Sequence, residues 1–266
     1  LFTGTTLVIF LSILTGLSMR FMPRFRSKAS QMTGWCLTRL FWIIEKVILL
    51  IPLAVFGAVV KAIGTSGLSV ASGLAAYFLA CFSGMALQIL IVYQVWIFFV
   101  VKIRLSTFWK IAWEPAVYAF GVNSSLATLP VSLRAMEKLK VSPSSARLSA
   151  CIGTNFNNDG ILLYEVVAAL FLLQAYGIHL SLFHQVLVAL LSLIACLGVA
   201  GIPEAGIISL TIVLSSLGLP LEAIPVLLSV DWFLARMRSF TNVLADITVG
   251  ALIDRLTHQG KFSFLK

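Results

Sequence analysis

Near the C-terminus, Asp231, Ala235, Arg238, Asn242 and Asp246 recur at intervals of three or four residues. At about 100° per residue, a helix gathers these five positions into a stripe roughly 80° wide, and Arg236 falls off it. The stripe carries a guanidinium, whose planar fork suits bidentate recognition of a carboxylate. One turn on, Asn242 and Asp246 offer hard oxygen ligands for a small cation. The alternative is an internal Arg238–Asp pair that holds helices together. Upstream, Asn155, Asn157, Asn158, Asp159 and Gly160 interrupt an apolar run. Polar and glycine residues at that density unwind a helix, free backbone carbonyls and add the Asp159 carboxylate, an environment suited to sodium. Glu165 lies about 240° round from Asp159 on a regular helix. It is either a proton carrier or a carboxylate hydrogen-bonded to a neighbouring helix. His179, His184 and His258 lack metal-like spacing, and Ser124 and Ser125 have no flanking base, so hydrolytic chemistry finds no support.

The elements that position these groups must lie in lipid. Of 266 residues, 60% are hydrophobic and 11% charged. A soluble domain is about 45–50% apolar and about 25% charged. The chain is therefore read as an all-α integral membrane protein. Its net charge of +9 is read as cytoplasmic loops facing anionic lipid, with membrane lipid as a partner and no nucleic acid. Cys36, Cys81, Cys151 and Cys196 form no cluster and are read as buried small hydrophobes. The chain opens on Leu1 in an apolar run, without a signal peptide to discount, as a fragment of a longer protein would.

Apolar runs of spanning length cover about 1–22, 41–63 and 69–101. Further runs cover about 111–133, 148–176, 180–221 and 223–253. Basic residues fill the loops 20–39, 102–110 and 134–147, whereas the turns near 176–180 and 217–222 carry none. The positive-inside rule puts 102–110 and 134–147 on the same side, so the segment between them enters the membrane and returns. The 180–221 run, broken at Gly198–Gly206, folds back likewise from the opposite face. The expected architecture is transmembrane helices plus two oppositely oriented re-entrant hairpins, an inverted repeat. Broken backbone at membrane depth survives only where it is buried or lines a cavity, and such repeats commonly build a transporter's binding site. Two short packed helices at each break are the alternative. The expected division is scaffold-like helices at 1–68, a transport domain at 69–254 and a cytoplasmic tail at 255–266. Within the transport domain come a first helix, hairpin 1 (110–134), a helix (148–176), hairpin 2 (180–221) and a last helix (223–253).

These segments carry a resemblance. Ser124-Ser125-Leu126-Ala127-Thr128-Leu129-Pro130 resembles the serine-rich first hairpin tip of the dicarboxylate/amino acid:cation symporters, which include the glutamate transporters. Asn157-Asn158-Asp159-Gly160 resembles their NMDG motif, and Tyr164-Glu165-Val166-Val167-Ala168-Ala169 continues the likeness. Ala200 through Gly206 is similar to the second hairpin tip, and Asp231 through Asp246 to the last helix. The likeness runs in order over 110–253, while residues 1–101 resemble the family's fourth to sixth helices, without its first three. It implies an elevator-type symporter, a homotrimer in a plasma membrane such as a bacterial inner membrane. It further implies that Arg238 binds the substrate's distal carboxylate. Ser124, Ser125, Asp159 and Asn242 would complete the substrate site, with backbone contacts from Gly201 and Ile202. Gly153, Asn157, Asn242 and Asp246 would form one sodium site and Asp159 part of another. No organic cofactor is expected, and the coupling ion is sodium or a proton. The family pattern is broken at Asn158, Ile161 and Leu126. It is broken too at Ala235, where amino acid carriers hold an aspartate against the substrate's amino group. An unpaired buried ammonium is costly, so Ala235 favours succinate, fumarate or malate over glutamate and aspartate. A channel-like anion-conducting protein and an inactive remnant are the alternatives on the same fold.

Overall fold

The computed structural model describes Thr15, Lys28, 31–36, Arg39, 42–43, Lys46, 50–66, 69–153, 156–198 and 205–257. Contacts divide the chain into Leu1–Pro52 and Leu53–Lys266. In the first unit the described residues are few and helical or turn-forming, with Arg39 over the Trp35 ring and Lys46 over the Trp42 ring. The expected 1–22 span lies almost wholly outside the described residues. Cys36 is exposed, contrary to its reading as a buried hydrophobe, because it follows a basic stretch and not an apolar run. Cys81 and Cys196 are buried.

The regular structure of the described residues is entirely helical. Helix α1 is Ile51–Ser66. Helix α2, Ser69–Leu87, runs on through two π-helical turns, Gln88–Tyr93 and Trp96–Val101. Within it, Ser72–Val101 is the one helix among the described residues long and apolar enough to cross a membrane by length and composition. It ends at Lys102, which takes a left-handed conformation.

Two helix pairs follow. Helix α3 (Leu105–Val122) turns at Asn123, φ 52°, into α4 (Ser125–Lys138). Asparagine tolerates that conformation, and the next residue, Ser124, caps α4 by accepting from the Ala127 N–H at 3.1 Å. Ser142 and Pro143 then open the short helix α5, Pro143–Arg147. A π-turn, Leu148–Gly153, leads to the polar break, and α6 begins only at Asp159 and runs to Ala175. Asn157 and Asn158 are outside regular helix. The second pair is α7 (Leu182–Gly198) and α8 (Ala205–Ser216), which pack on each other and on α6. The expected tip residues Gly201 and Ile202 lie outside the described residues. After α9 (Ile224–Leu228), α10 runs from Asp231 to Thr257, four residues past the expected end.

Helix α10 is the spine. Its C-terminal half packs through Val243, Leu244, Ile247 and Ala251 into a core with Phe108, Ala112, Ala116, Ala135 and Met136 of the first pair. Its Leu234 packs into a second core with Tyr77, Tyr164, Val188, Leu210 and Leu214. Large apolar side chains such as Leu79, Leu90, Phe99, Leu182 and Ile194 face outward, as lipid contact requires and water would penalise.

Candidate functional site

Because α10 is covered on most sides, most of its polar residues are buried, and buried polar groups need partners. Asp231, Arg238, Thr241, Asn242, Asp246 and Asp254 are all buried. Arg238 donates from Nη1 and Nη2 to the two carboxylate oxygens of Asp231, at 2.5 and 3.1 Å. The internal pair raised as an alternative is therefore present, within a single helix. Below the guanidinium lies the Tyr164 ring, 4.0 Å from ring centroid to Cζ. The remaining flank belongs to α8. A Cβ at Gly206 would stand 3.2 Å from Nε, Cζ and Nη2 of Arg238. The end-on fork is used by Asp231; a guanidinium has five N–H donors, so Nε–H and one Nη2–H are left over, on a side chain that is buried against α8.

A turn further along, the helix break meets α10. The Gly160 N–H donates to Asn242 Oδ1 at 2.8 Å, and Asn242 Nδ2 donates to Asn158 Oδ1 at 3.5 Å. The two backbones touch here: a Cβ at Gly160 would lie 2.7 Å from Arg238 Cα and O. Only glycine permits that approach. Asn157 Nδ2 donates to Asp246 Oδ1 at 3.3 Å, and the Asn157 N–H to the Gly153 carbonyl at 2.6 Å. The Ser149 hydroxyl donates to the Asp246 carbonyl at 2.6 Å. Gly153, Asn157, Asn242 and Asp246, which the resemblance grouped, thus occupy one neighbourhood of carboxylate, amide and carbonyl oxygens. Among the described residues no three His, Cys, Asp or Glu side chains could together hold a metal ion. An oxygen-only donor set of this kind fits a hard cation such as sodium.

Asp159 is placed at the start of α6, where its Oδ2 accepts from Gln88 Nε2 at 2.9 Å and Tyr93 Oη at 2.8 Å. Spacing could not show this, because those donors are 71 and 66 residues away. The one available signal was a Gln and a Tyr within a stretch free of charge from Lys61 to Lys102. Glu165 is fully buried on α6, with the Ser209 hydroxyl of α8 beside its carboxyl group. The hydroxyls of Ser192 and Ser209, on the second helix pair, are buried as well. Ser124 and Ser125 are half-buried at the first turn, whose Asn123 Oδ1 accepts from the Ser239 hydroxyl at 3.4 Å. The first tip therefore reaches α10 next to Arg238.

Residues 3–256 match the sequence model of the sodium:dicarboxylate symporter family. Excitatory amino acid transporter 3 of Mus musculus is 37% identical over 182 residues, 68% of this chain and 35% of that protein. Excitatory amino acid transporter 4 of the same species is 40% identical over 147 residues, 55% of this chain and 26% of that protein. An excitatory amino acid transporter of Caenorhabditis elegans is 36% identical over 174 residues, 65% of this chain and 35% of that protein. The chain spans about a third or less of the length of these curated relatives.

Proposed function

The chain belongs to the sodium:dicarboxylate symporter family, a family of membrane carriers and not of enzymes, and from that premise we propose that it couples a sodium gradient to uptake of an acidic substrate. The observation that carries this reading is the buried Arg238 guanidinium on the same helix as Asn242 and Asp246, whose side-chain oxygens meet Gly160 and Asn157 of the polar break. An anion held at the guanidinium and a cation held at those oxygens stabilise each other across a short, poorly screened distance, and that mutual stabilisation is what coupling requires.

In this reading Arg238 binds the distal carboxylate, while Ser124, Ser125, Asn242 and Asp159 complete the substrate site with the backbone of Gly201 and Ile202. Gly153, Asn157, Asn242 and Asp246 hold one sodium ion and Asp159 contributes to another. Glu165, buried with no basic side chain paired to it among the described residues, is the proton carrier if protons take part. Residues 69–254 form the transport domain, with α3–α4 and α7–α8 as re-entrant hairpins of an inverted repeat. The separate cores that the two pairs build on α10 support that reading. The domain works by an elevator movement within a homotrimer, in a plasma membrane.

Testing Arg238 requires respect for its partner. Truncating Arg238 alone leaves the Asp231 carboxylate buried and unpaired, at a cost of about 3–5 kcal/mol. The double substitution Asp231→Asn with Arg238→Gln removes both charges together. In proteoliposomes, the protein should fold and lose sodium-driven uptake of succinate and aspartate alike. Retained uptake of either would overturn the assignment.

A further inference from the structure

Asp159 lies where the polar break becomes helix α6, and its Oδ2 receives two hydrogens, from Gln88 and Tyr93. Both donors belong to one π-helical turn, Gln88–Tyr93, in which they are the first and last residues. In a regular α-helix, residues five apart point about 140° away from each other. The looser i→i+5 winding of a π-turn brings such residues nearer to one face. The irregular turn is thus what lets an amide and a phenol from one helix reach a single carboxylate oxygen on another.

The turn is also built to persist. Gln94 Nε2 donates to the Ile89 carbonyl at 2.7 Å, inside the π-turn, and Gln94 Oε1 accepts from Trp109 Nε1 at 3.0 Å. Tyr93 is buried, and its Oη lies 3.4 Å from the Thr241 carbonyl, next to Asn242. The phenol therefore touches both helices that carry the oxygen cluster. A carboxylate hinged at its χ2 torsion gains a fixed orientation when one oxygen is held by two neutral donors. Oδ1 is then presented in one direction, without a counter-charge that would compete with a cation.

We propose that Gln88 and Tyr93 are positioning residues that fix the Asp159 carboxylate for cation binding. This rests on the reading of Asp159 as a sodium ligand. It names residues outside the motif regions, on a helix that the sequence presents as a plain apolar span.

The test uses the purified protein in proteoliposomes, a double-substitution cycle of Tyr93→Phe with Asp159→Ala, and Asp159→Asn to remove the charge alone. Tyr93→Phe removes one hydroxyl and keeps the ring. It should raise the sodium concentration for half-maximal uptake about threefold to tenfold and change the maximal rate less than twofold. Gln88→Met, at a half-buried position that tolerates substitution better, should shift the same quantity in the same direction. In the Asp159→Ala background, which removes the acceptor, Tyr93→Phe should change neither sodium activation nor the thermal midpoint further, because the contact is already gone. Additive effects of the two substitutions on the midpoint would overturn the proposal and leave Tyr93 a packing residue. So would unchanged sodium activation in Tyr93→Phe alongside its loss in Asp159→Asn. If Asp159→Asn alone leaves sodium activation intact, the cation role of Asp159 falls. Non-additivity of the midpoint then still decides whether Gln88 and Tyr93 hold the carboxylate.

Discussion

At the scale of the residue, the guanidinium of Arg238 is enclosed on three sides. Asp231 holds the end of the fork, Tyr164 lies against its face, and Gly206 of α8 packs close to Nε, Cζ and Nη2. A methyl group on Gly206 would press on Nε, Cζ and Nη2 at 3.2 Å, and Nη2 also donates to Asp231. Gly206→Ala should therefore lower the thermal midpoint and raise the KM for acidic substrates at least tenfold, measured by thermal unfolding and uptake kinetics. A normal KM would mean that the substrate carboxylate approaches Arg238 from elsewhere. The stripe of α10 was legible in the sequence because helical spacing alone aligns 231, 235, 238, 242 and 246. Which Asp pairs with Arg238 was left open, since the rotamers that close a two-turn gap are set by Tyr164 and Gly206, from other helices. The partners of Asp159 were not legible, because contacts across some 70 residues leave no periodicity.

At the scale of the element, the polar break was legible for a physical reason. Asn157 and Asn158 lie amid apolar helix, and their side chains compete with the backbone for hydrogen bonds, so helix α6 starts only after them. The π-turns of the preceding helix were not legible, since their sequences, QILIVY and WIFFVV, read as ordinary apolar helix. The first turn rests on a cap that can be tested directly. Ser124 accepts from the Ala127 N–H through its hydroxyl, while its carbonyl accepts from Thr128 Oγ1 at 2.7 Å. Ser124→Ala removes the first bond and should cost about 1 kcal/mol, whereas Ser124→Asp keeps an acceptor and should cost less. Thermal unfolding of the two variants in detergent gives the order. If alanine and aspartate destabilise equally, the hydroxyl is not what sets the start of α4.

At the scale of the whole molecule, the buried acidic groups decide what the carrier can accept. Asp231 is committed to Arg238, Asp246 to Asn157, Asp254 to the Ser142 N–H at 3.0 Å, and Asp159 to Gln88 and Tyr93. Ala235, one turn before Arg238 on the same stripe, is buried and brings only a methyl group. An α-amino acid would carry an ammonium into this interior, and an unpaired buried charge costs several kcal/mol. A C4-dicarboxylate carries none and, in the proposed reading, still pairs with Arg238. Succinate should therefore inhibit uptake more strongly than aspartate in direct competition. A buried carboxyl that no basic side chain pairs with among the described residues is Glu165, and it gives the experiment its second arm. If aspartate outcompetes succinate tenfold, a difference of about 1.4 kcal/mol, the argument from Ala235 is wrong. In that event Glu165→Gln, which keeps the shape and removes the charge, should abolish the aspartate preference if Glu165 pairs the ammonium and leave it intact if it does not.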